Sequence, residues 1–348
     1  MNATPRSEGY AQPAEWSLHR ACWTAWPSHA DLWQENLEPA REAVAALVRA
    51  IADVDPDTGR ARGETPCVLV LDDAAEASAR AHLAGVPARF VRIPFGDIWL
   101  RDTAPIFVRR SEGDVAAVRF GFNGWGGKYV LDHDDAVSAR VAEASLRRQF
   151  TVPWILEGGS VEPDGEGTVI TSVQCLLNPN RNPEMTRDDI ERGLAETLGA
   201  EKVLWVTDGL LNDHTDGHID TIVRYVRPGV VTCMAPSGDD DPNAVVLARI
   251  ADELRGMTDA KGRRLEVIPV PSPGRVLDDE GRVMPASHVN FYLANTTVIV
   301  PVYGTAWDDA AVAAVGALYP DRRAVGVDAR AVLSGGGAFH CITQQEPA

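Results

Sequence analysis

The sequence predicts a mixed α/β protein, and three observations carry that reading. Segments rich in β-branched residues alternate with amphipathic segments along the whole length. No composition break or linker divides the 348 residues, so a single domain spanning residues 1–348 is expected. The composition, 45% hydrophobic and 24% charged, suits a chain with a large buried core.

Taken in order, apolar residues recur at helical spacing from Glu38 to Ala52 (Ala43, Ala46, Leu47, Ala50), which predicts an amphipathic helix. Asp55 to Thr65 has the Gly and Pro of a loop, Cys67 to Leu71 reads as a buried strand, Ala74 to Ala84 as a helix and Phe90 to Ile93 as a strand. Ile106 to Arg110 and Val115 to Phe120 flank Ser111-Glu112-Gly113-Asp114, the pattern of a hairpin. Asn123-Gly124-Trp125-Gly126-Gly127 is a flexible loop carrying an aromatic. A helix is expected over Ala136 to Gln149, then strands at Val152 to Leu156 and Thr168 to Thr171. Thr186, with Asp189 three residues on, caps a helix that ends at Leu198 before Gly199. Strands follow at Lys202 to Val206, Thr221 to Val226 and Val230 to Cys233, then a helix at Ala244 to Arg255. Leu265 to Val270, Val289 to Leu293 and Val298 to Val302 read as strands, Ala310 to Leu318 as a helix and Ala324 to Val327 as a strand.

The formal net charge is −17, with no long basic run, which argues against nucleic acid and anionic membrane surfaces and favours a cationic ligand. Five scattered cysteines (Cys22, Cys67, Cys175, Cys233, Cys341) show no CxxC pair and cannot all pair, so a reducing compartment is expected. Met1 to Gln12 is polar, without the apolar core of a signal peptide, and no apolar run is long enough to span a bilayer. The expected location is the cytoplasm.

Chemistry concentrates in Asp213-His214-Thr215-Asp216-Gly217-His218-Ile219-Asp220, where two imidazoles and three carboxylates fall in eight residues. Entering the following strand extended, the motif would put Asp216, His218 and Asp220 on one face. His214 and His218 also have the four-residue spacing of helical metal ligands, although Gly217 and the β-branched run after it disfavour a helix. A solvated polar turn is the bland alternative. Asp97-Ile98-Trp99-Leu100-Arg101-Asp102 sets an indole among acids, a face for a cation, with Asp102 placed to point into a cleft.

Cys341 follows three glycines and His340 near the C-terminus. A buried cysteine is more often a small hydrophobe than a nucleophile, but the glycines let backbone and ligand approach closely. His340 could lower the thiol pKa, yet neighbours on a strand face opposite ways, which makes His218 the better base. The other four cysteines lack such surroundings. A thiolate, an imidazole and two carboxylates suit attack on a planar cationic carbon.

Here the sequence resembles the agmatine deiminases, of the guanidine-modifying (pentein) superfamily that includes peptidylarginine and arginine deiminases. The matching blocks run in order: Pro13-Ala14-Glu15-Trp16, Trp23-Thr24-Ala25-Trp26-Pro27, Asp97 to Pro105, Phe122 to Tyr129, Leu156-Glu157-Gly158-Gly159-Ser160, Leu176 to Pro183, Thr215 to Asp220, Val289-Asn290-Phe291-Tyr292 and Gly335 to Gln345. The resemblance implies a five-bladed α/β propeller of ββαβ-type units around a central active-site channel. It implies Cys341 as the nucleophile, His218 as general acid and then base, and Asp102 and Asp220 as carboxylates holding the guanidinium nitrogens. Glu157 matches a carboxylate that orients the histidine, and Trp99 lines the channel. Asp216, His214 and Gly336 join the expected substrate-facing set. The sequence departs from the family pattern at His214 (usually Glu), Ala338 (usually Asn), Ala104 (usually Gly) and His288 (usually Tyr).

The implied activity is hydrolysis of agmatine to N-carbamoylputrescine and ammonia, without cofactor or metal, on a small cationic guanidine, by a homodimer. Alternatives are a deiminase of free or peptidyl arginine, a silent guanidine-binding module, and a metal-dependent hydrolase.

Overall fold

One supersecondary unit recurs five times in the computed structural model, which describes residues 3–348. Each unit is an antiparallel strand pair followed by a helix and a third strand parallel to the second. β1 (His19–Ala25) and β2 (Thr65–Val70) run parallel across helix Leu37–Ala52, and β3 (Arg89–Arg92) extends the sheet. β4 (Ile106–Arg109), β5 (Val115–Gly121) and β6 (Arg148–Ile155) repeat the unit with helix Asp134–Ser145. β7 (Glu162–Pro163), β8 (Thr168–Ser172) and β9 (Lys202–Val206) do so with helix Arg187–Leu198. β10 (Val223–Arg227), β11 (Val230–Ala235) and β12 (Glu266–Pro271) use helix Ala244–Gly256, and β13 (Tyr292–Leu293), β14 (Thr297–Val302) and β15 (Arg323–Asp328) use helix Asp308–Leu318. The last strand, β16 (Gln344–Pro347), returns to pair antiparallel with β1. The end of the chain thus supplies the missing antiparallel partner of the first unit, as a closed ring of five blades requires.

The sequence accounts for most of these elements. In helix Leu37–Ala52 the apolar periodicity buries Val44, Leu47, Val48 and Ile51 completely, each worth about 1.5–3 kcal/mol relative to exposure. Thr186 and Asp189 form the expected reciprocal capping box, and Gly199 ends that helix at φ 79°. The 106–120 hairpin forms in the expected antiparallel register.

Two expectations are corrected, and one strand pair lies beyond them. The helix expected to reach Gln149 stops at Ser145, because Leu146 turns left-handed (φ 58°) and the chain becomes β6 at Arg148. The strand expected from Val289 begins only at Tyr292, because Ser287 to Asn290 form a turn. β1 and β16, at opposite ends of the chain, were not foreseen as strands; their pairing is long-range and has no local signature.

Candidate active site

The loop entering the first strand of each unit carries the site. Asp102 sits in the short turn Leu100–Thr103 ahead of β4, Gly159 in the 3-10 turn Gly158–Ser160 ahead of β7, and His218 and Asp220 around the 3-10 turn Ile219–Thr221 ahead of β10. Asn290 precedes β13 and Cys341 precedes β16. Five topologically equivalent loops therefore meet at one place.

Gly159 marks the meeting point. A Cβ there would lie 2.6 Å from His218 Nδ1, 3.0 Å from Asp102 Oδ1 and 3.1 Å from Asp220 Oδ2, so atoms from two other loops converge on the loop of Gly159. Only glycine leaves this space open to another group. Its backbone N–H also donates to Asp102 Oδ1 at 3.0 Å, while Trp125 Nε1 donates to Oδ2 at 2.9 Å. The nucleophile candidate, Cys341 Sγ, lies 3.7 Å from Asp220 Oδ2 and 3.2 Å from the Asn290 side-chain amide. His218 Nδ1 is 3.7 Å from Asp102 Oδ1.

Cys341, His218, Asp102, Asp220 and Glu157 are all buried, yet several of their polar atoms have no partner within the protein. Both His218 ring nitrogens, Asp220 Oδ1 and Glu157 Oε2 make no hydrogen bond. Each such group costs roughly 1–3 kcal/mol when left unpaired, so their clustering at one point is the mark of a site whose ligand supplies the partners.

Electrostatics follow from that burial. Desolvation pushes the Cys341 thiol well above the usual range, and the Asp220 and Asp102 carboxylates push it the same way. Burial also raises the Asp102 carboxyl. For His218 burial acts downward, but Asp102, Cys175 and Glu157 prevail and hold the imidazole well above its usual value. Burial opposes ionisation of Asp220 too, and there the hydrogen bond and charge of His340 prevail, lowering its pKa.

The aromatic wall is fixed from behind. Asp97 accepts from Trp33 Nε1 at 3.0 Å and from Trp99 Nε1 at 2.8 Å, stacking the indoles at a centroid distance of 6.3 Å. Gly335 and Gly337 lie so close to Trp99 that a Cβ on either would sit 2.7 Å from its ring. At the rim, exposed His214 accepts or donates at Nδ1 with Tyr129 Oη (3.1 Å) and lies over Gly336. Asp216 is held by Lys128, Arg181 and Asn180.

The 213–220 motif is neither the extended strand nor the helix its spacing allowed. Asp216 and Gly217 turn left-handed (φ 65° and 80°), and Asp213 receives the backbone N–H groups of Thr215, Gly217 and His218. This turn sends His218 and Asp220 inward and leaves His214 at the rim, so the two histidines do not act as a pair. His340 is likewise corrected: residues 340 and 341 lie in a turn, not a strand, and its ring faces Asp220 and Glu15.

Cys175, set aside by its sequence surroundings, proves to be a neighbour of the site. Its sulfur, a Glu157 oxygen and a His218 nitrogen lie within 4.8 Å of one another, the one such trio of potential metal-ligand atoms among the described residues. Glu157 is oriented on its other side by Arg181, whose Nε donates to Oε1 at 3.0 Å. Gly159, Trp125, Asn290 and Cys175 carry no assigned role from sequence; the recurrence of one entry loop in every unit is a signal for Gly159 and Asn290 only.

Comparison with known proteins gives this geometry its context. A family model described as Porphyromonas-type peptidyl-arginine deiminase matches residues 11–347. An agmatine deiminase of Pseudomonas aeruginosa (strain LESB58) is 38% identical over 370 residues, covering 99% of this chain and 98% of its own. The chain belongs to the agmatine deiminase family. Within that family, the agmatine deiminase of Stutzerimonas stutzeri is also 38% identical, across 100% of this chain and 98% of its own. The solved agmatine deiminase of Enterococcus faecalis superposes with a TM-score of 0.92 at 32% identity, covering 100% of this chain and 98% of that one. An amidinotransferase from Microseira wollei, at 10% identity and a TM-score of 0.53, shares the fold alone. The fold is that of the pentein superfamily, and the protein is a hydrolytic guanidine-modifying enzyme.

Proposed function

We propose that the enzyme hydrolyses agmatine to N-carbamoylputrescine and ammonia through a covalent Cys341 intermediate. The observation that carries this reading is the convergence of Cys341, Asp220, Asp102 and His218, from three separate loops, around Gly159. A guanidinium placed there meets two carboxylates for its nitrogens, a sulfur for its carbon and an imidazole for its leaving group.

The steps balance. Cys341 Sγ attacks the guanidinium carbon, and the resulting tetrahedral adduct expels one terminal nitrogen as ammonia, protonated by His218. The neutral imidazole then takes a proton from water, which attacks the amidino-thioether carbon; the C–S bond breaks and the thiol is restored. Glu157 steadies His218, and Trp99 and Trp125 flank the cation.

At neutral pH the free site pairs a neutral thiol with an imidazolium, because burial and the two aspartates raise the one while Asp102 holds the other. The entering cation offsets the aspartate charges, so the thiol loses its proton to solvent as substrate binds.

His214, exposed beside Gly336 and standing where the family pattern usually has Glu, keeps other arginine-like compounds as the second reading. The test is ammonia release from agmatine, free arginine and a peptidyl-arginine, side by side with Cys341→Ala. Release from agmatine, abolished in the variant, is expected. Silence of the wild type on all three would overturn the enzyme assignment, and preference for an arginine would overturn the substrate. The homodimer and cytoplasmic location belong to the same proposal; the latter is supported by five buried cysteines, none in a disulfide.

A further inference from the structure

His340, outside the catalytic set, contacts Asp220 directly, and Glu15 contacts His340 in turn. His340 Nδ1 lies 2.7 Å from Asp220 Oδ2, and its Nε2 lies 2.8 Å from Glu15 Oε2. All three side chains are buried. A carboxylate only accepts hydrogen bonds, so a ring flanked by two carboxylates must donate from both nitrogens, which only the imidazolium does.

We infer that Glu15 and His340 form a positioning relay in which an imidazolium, braced by Glu15, keeps Asp220 ionised and fixes its carboxylate at the meeting point around Gly159. Glu15 comes from the N-terminal segment, outside the five loops, and it is firmly seated. Its Oε1 accepts from the Leu293 backbone N–H at 3.1 Å and its Oε2 from Arg224 Nη2 at 2.6 Å. Arg224 in turn donates from Nε to Glu162 at 3.0 Å and from Nη1 to the Phe291 carbonyl at 2.6 Å. Arg101 stands 3.9 Å from Glu15 and donates from Nε to the His340 carbonyl at 3.3 Å.

The charges facing the relay are thus Asp220, Glu15 and Glu162 on one side and Arg224 and Arg101 on the other, with the His218 imidazolium and the Asp102 carboxylate, of opposite sign, beyond Asp220. Protonated His340 brings this buried group to neutrality, whereas a neutral ring would strand one uncompensated negative charge. The arrangement also decides which aspartate oxygen is free. His340 occupies Oδ2, the oxygen nearer Cys341 Sγ, and Oδ1 has no partner in the protein. The lowered pKa of Asp220, in which burial is overcome by His340, agrees with this division. His340 therefore acts through Asp220, not on the reacting atoms.

The role of Asp220 as a substrate ligand rests on the deiminase reading; the charge on His340 does not. The test accordingly has two arms. In the first, ring 15N NMR of His340, assigned by the signal lost in His340→Gln, is expected to show both nitrogens protonated at neutral pH. In the second, the pH dependence of kcat/KM for agmatine is compared in wild type, Glu15→Gln and His340→Gln. His340→Gln keeps a donor but removes the charge; Glu15→Gln is isosteric and removes the carboxylate charge that braces His340 and pairs with Arg224. The acid limb is expected to move to higher pH in the order wild type, Glu15→Gln, His340→Gln. For a one-unit shift, kcat/KM falls about tenfold below the limb, mostly through KM, and recovers at alkaline pH. If His340→Gln does not fold, Glu15→Gln alone decides. A split, singly protonated ring signal, or a wild-type acid limb in a folded variant, would overturn the relay. A doubly protonated ring in a protein inactive on every guanidine would instead overturn the deiminase reading and leave the charge assignment standing.

Discussion

At the scale of the residue, the site is organised by burial and by one missing side chain. Gly159 contributes the space into which Asp102, Asp220 and His218 aim their atoms. Around it, carboxylates without solvent and a thiol between them make the free enzyme reluctant to form a thiolate. A guarded nucleophile of this kind reacts chiefly when its own cationic substrate is present. The sign of the effect can be tested without turnover. Asp102 raises the Cys341 pKa, so Asp102→Asn should move the pH midpoint of iodoacetamide inactivation downward, on the order of one unit. A midpoint that stays put, or rises, would contradict the electrostatic account. The buried ion pairs of Arg224 and Arg181 belong to the same scale. Such pairs add little net stability but are costly to break, which suits them to holding Glu15, Glu162 and Glu157 at fixed positions.

At the scale of the element, the helices and the loops answer to different pressures. Helix Arg187–Leu198 follows local rules: a capping box at Thr186, two acidic residues in its first turn and a left-handed glycine at its end. Thr186→Ala should cost about 1 kcal/mol of stability by chemical denaturation and leave kcat/KM unchanged, since the cap is exposed and its side chain bonds only within its own turn. A comparable loss of activity would mean that the helix transmits strain to the site. The catalytic loops obey tertiary demands instead. The 213–220 turn puts a non-glycine residue, Asp216, at positive φ and pins it with Lys128, Arg181 and Asn180. The resulting bend, which local alternation does not foresee, is what divides His218 from His214.

At the scale of the whole molecule, the closing contact is between the two ends of the chain. β16 pairs with β1, and the Ala348 backbone N–H donates to the Leu18 carbonyl at 2.9 Å. Cys341 enters the site through the turn that leads into β16, so ring closure and placement of the proposed nucleophile are one event. Removal of residues 344–348 should therefore abolish activity and lower Tm. A circular permutant that joins the ends by a flexible linker and opens the exposed 111–114 hairpin turn should keep both. An active truncation, or a permutant that fails to fold, would show that the terminal strand is dispensable or that the chain must begin at its natural end.

These scales differ in how far they can be read from residues alone. Alternating strand and helix patterns, the Thr186 cap, the hairpin at 111–114, and the chemical types at 102, 218, 220 and 341 are local properties, set by periodicity, turn chemistry and side-chain inventory. The order of motif blocks along the chain was sufficient to point to a family. Tertiary structure alone decided that five entry loops share one point, that Cys175 neighbours His218, that Glu15 reaches His340, and that β1 receives its partner from the far end. Each of these depends on contacts between residues distant in sequence, whose energies arise only after the ring has closed and water has left its centre.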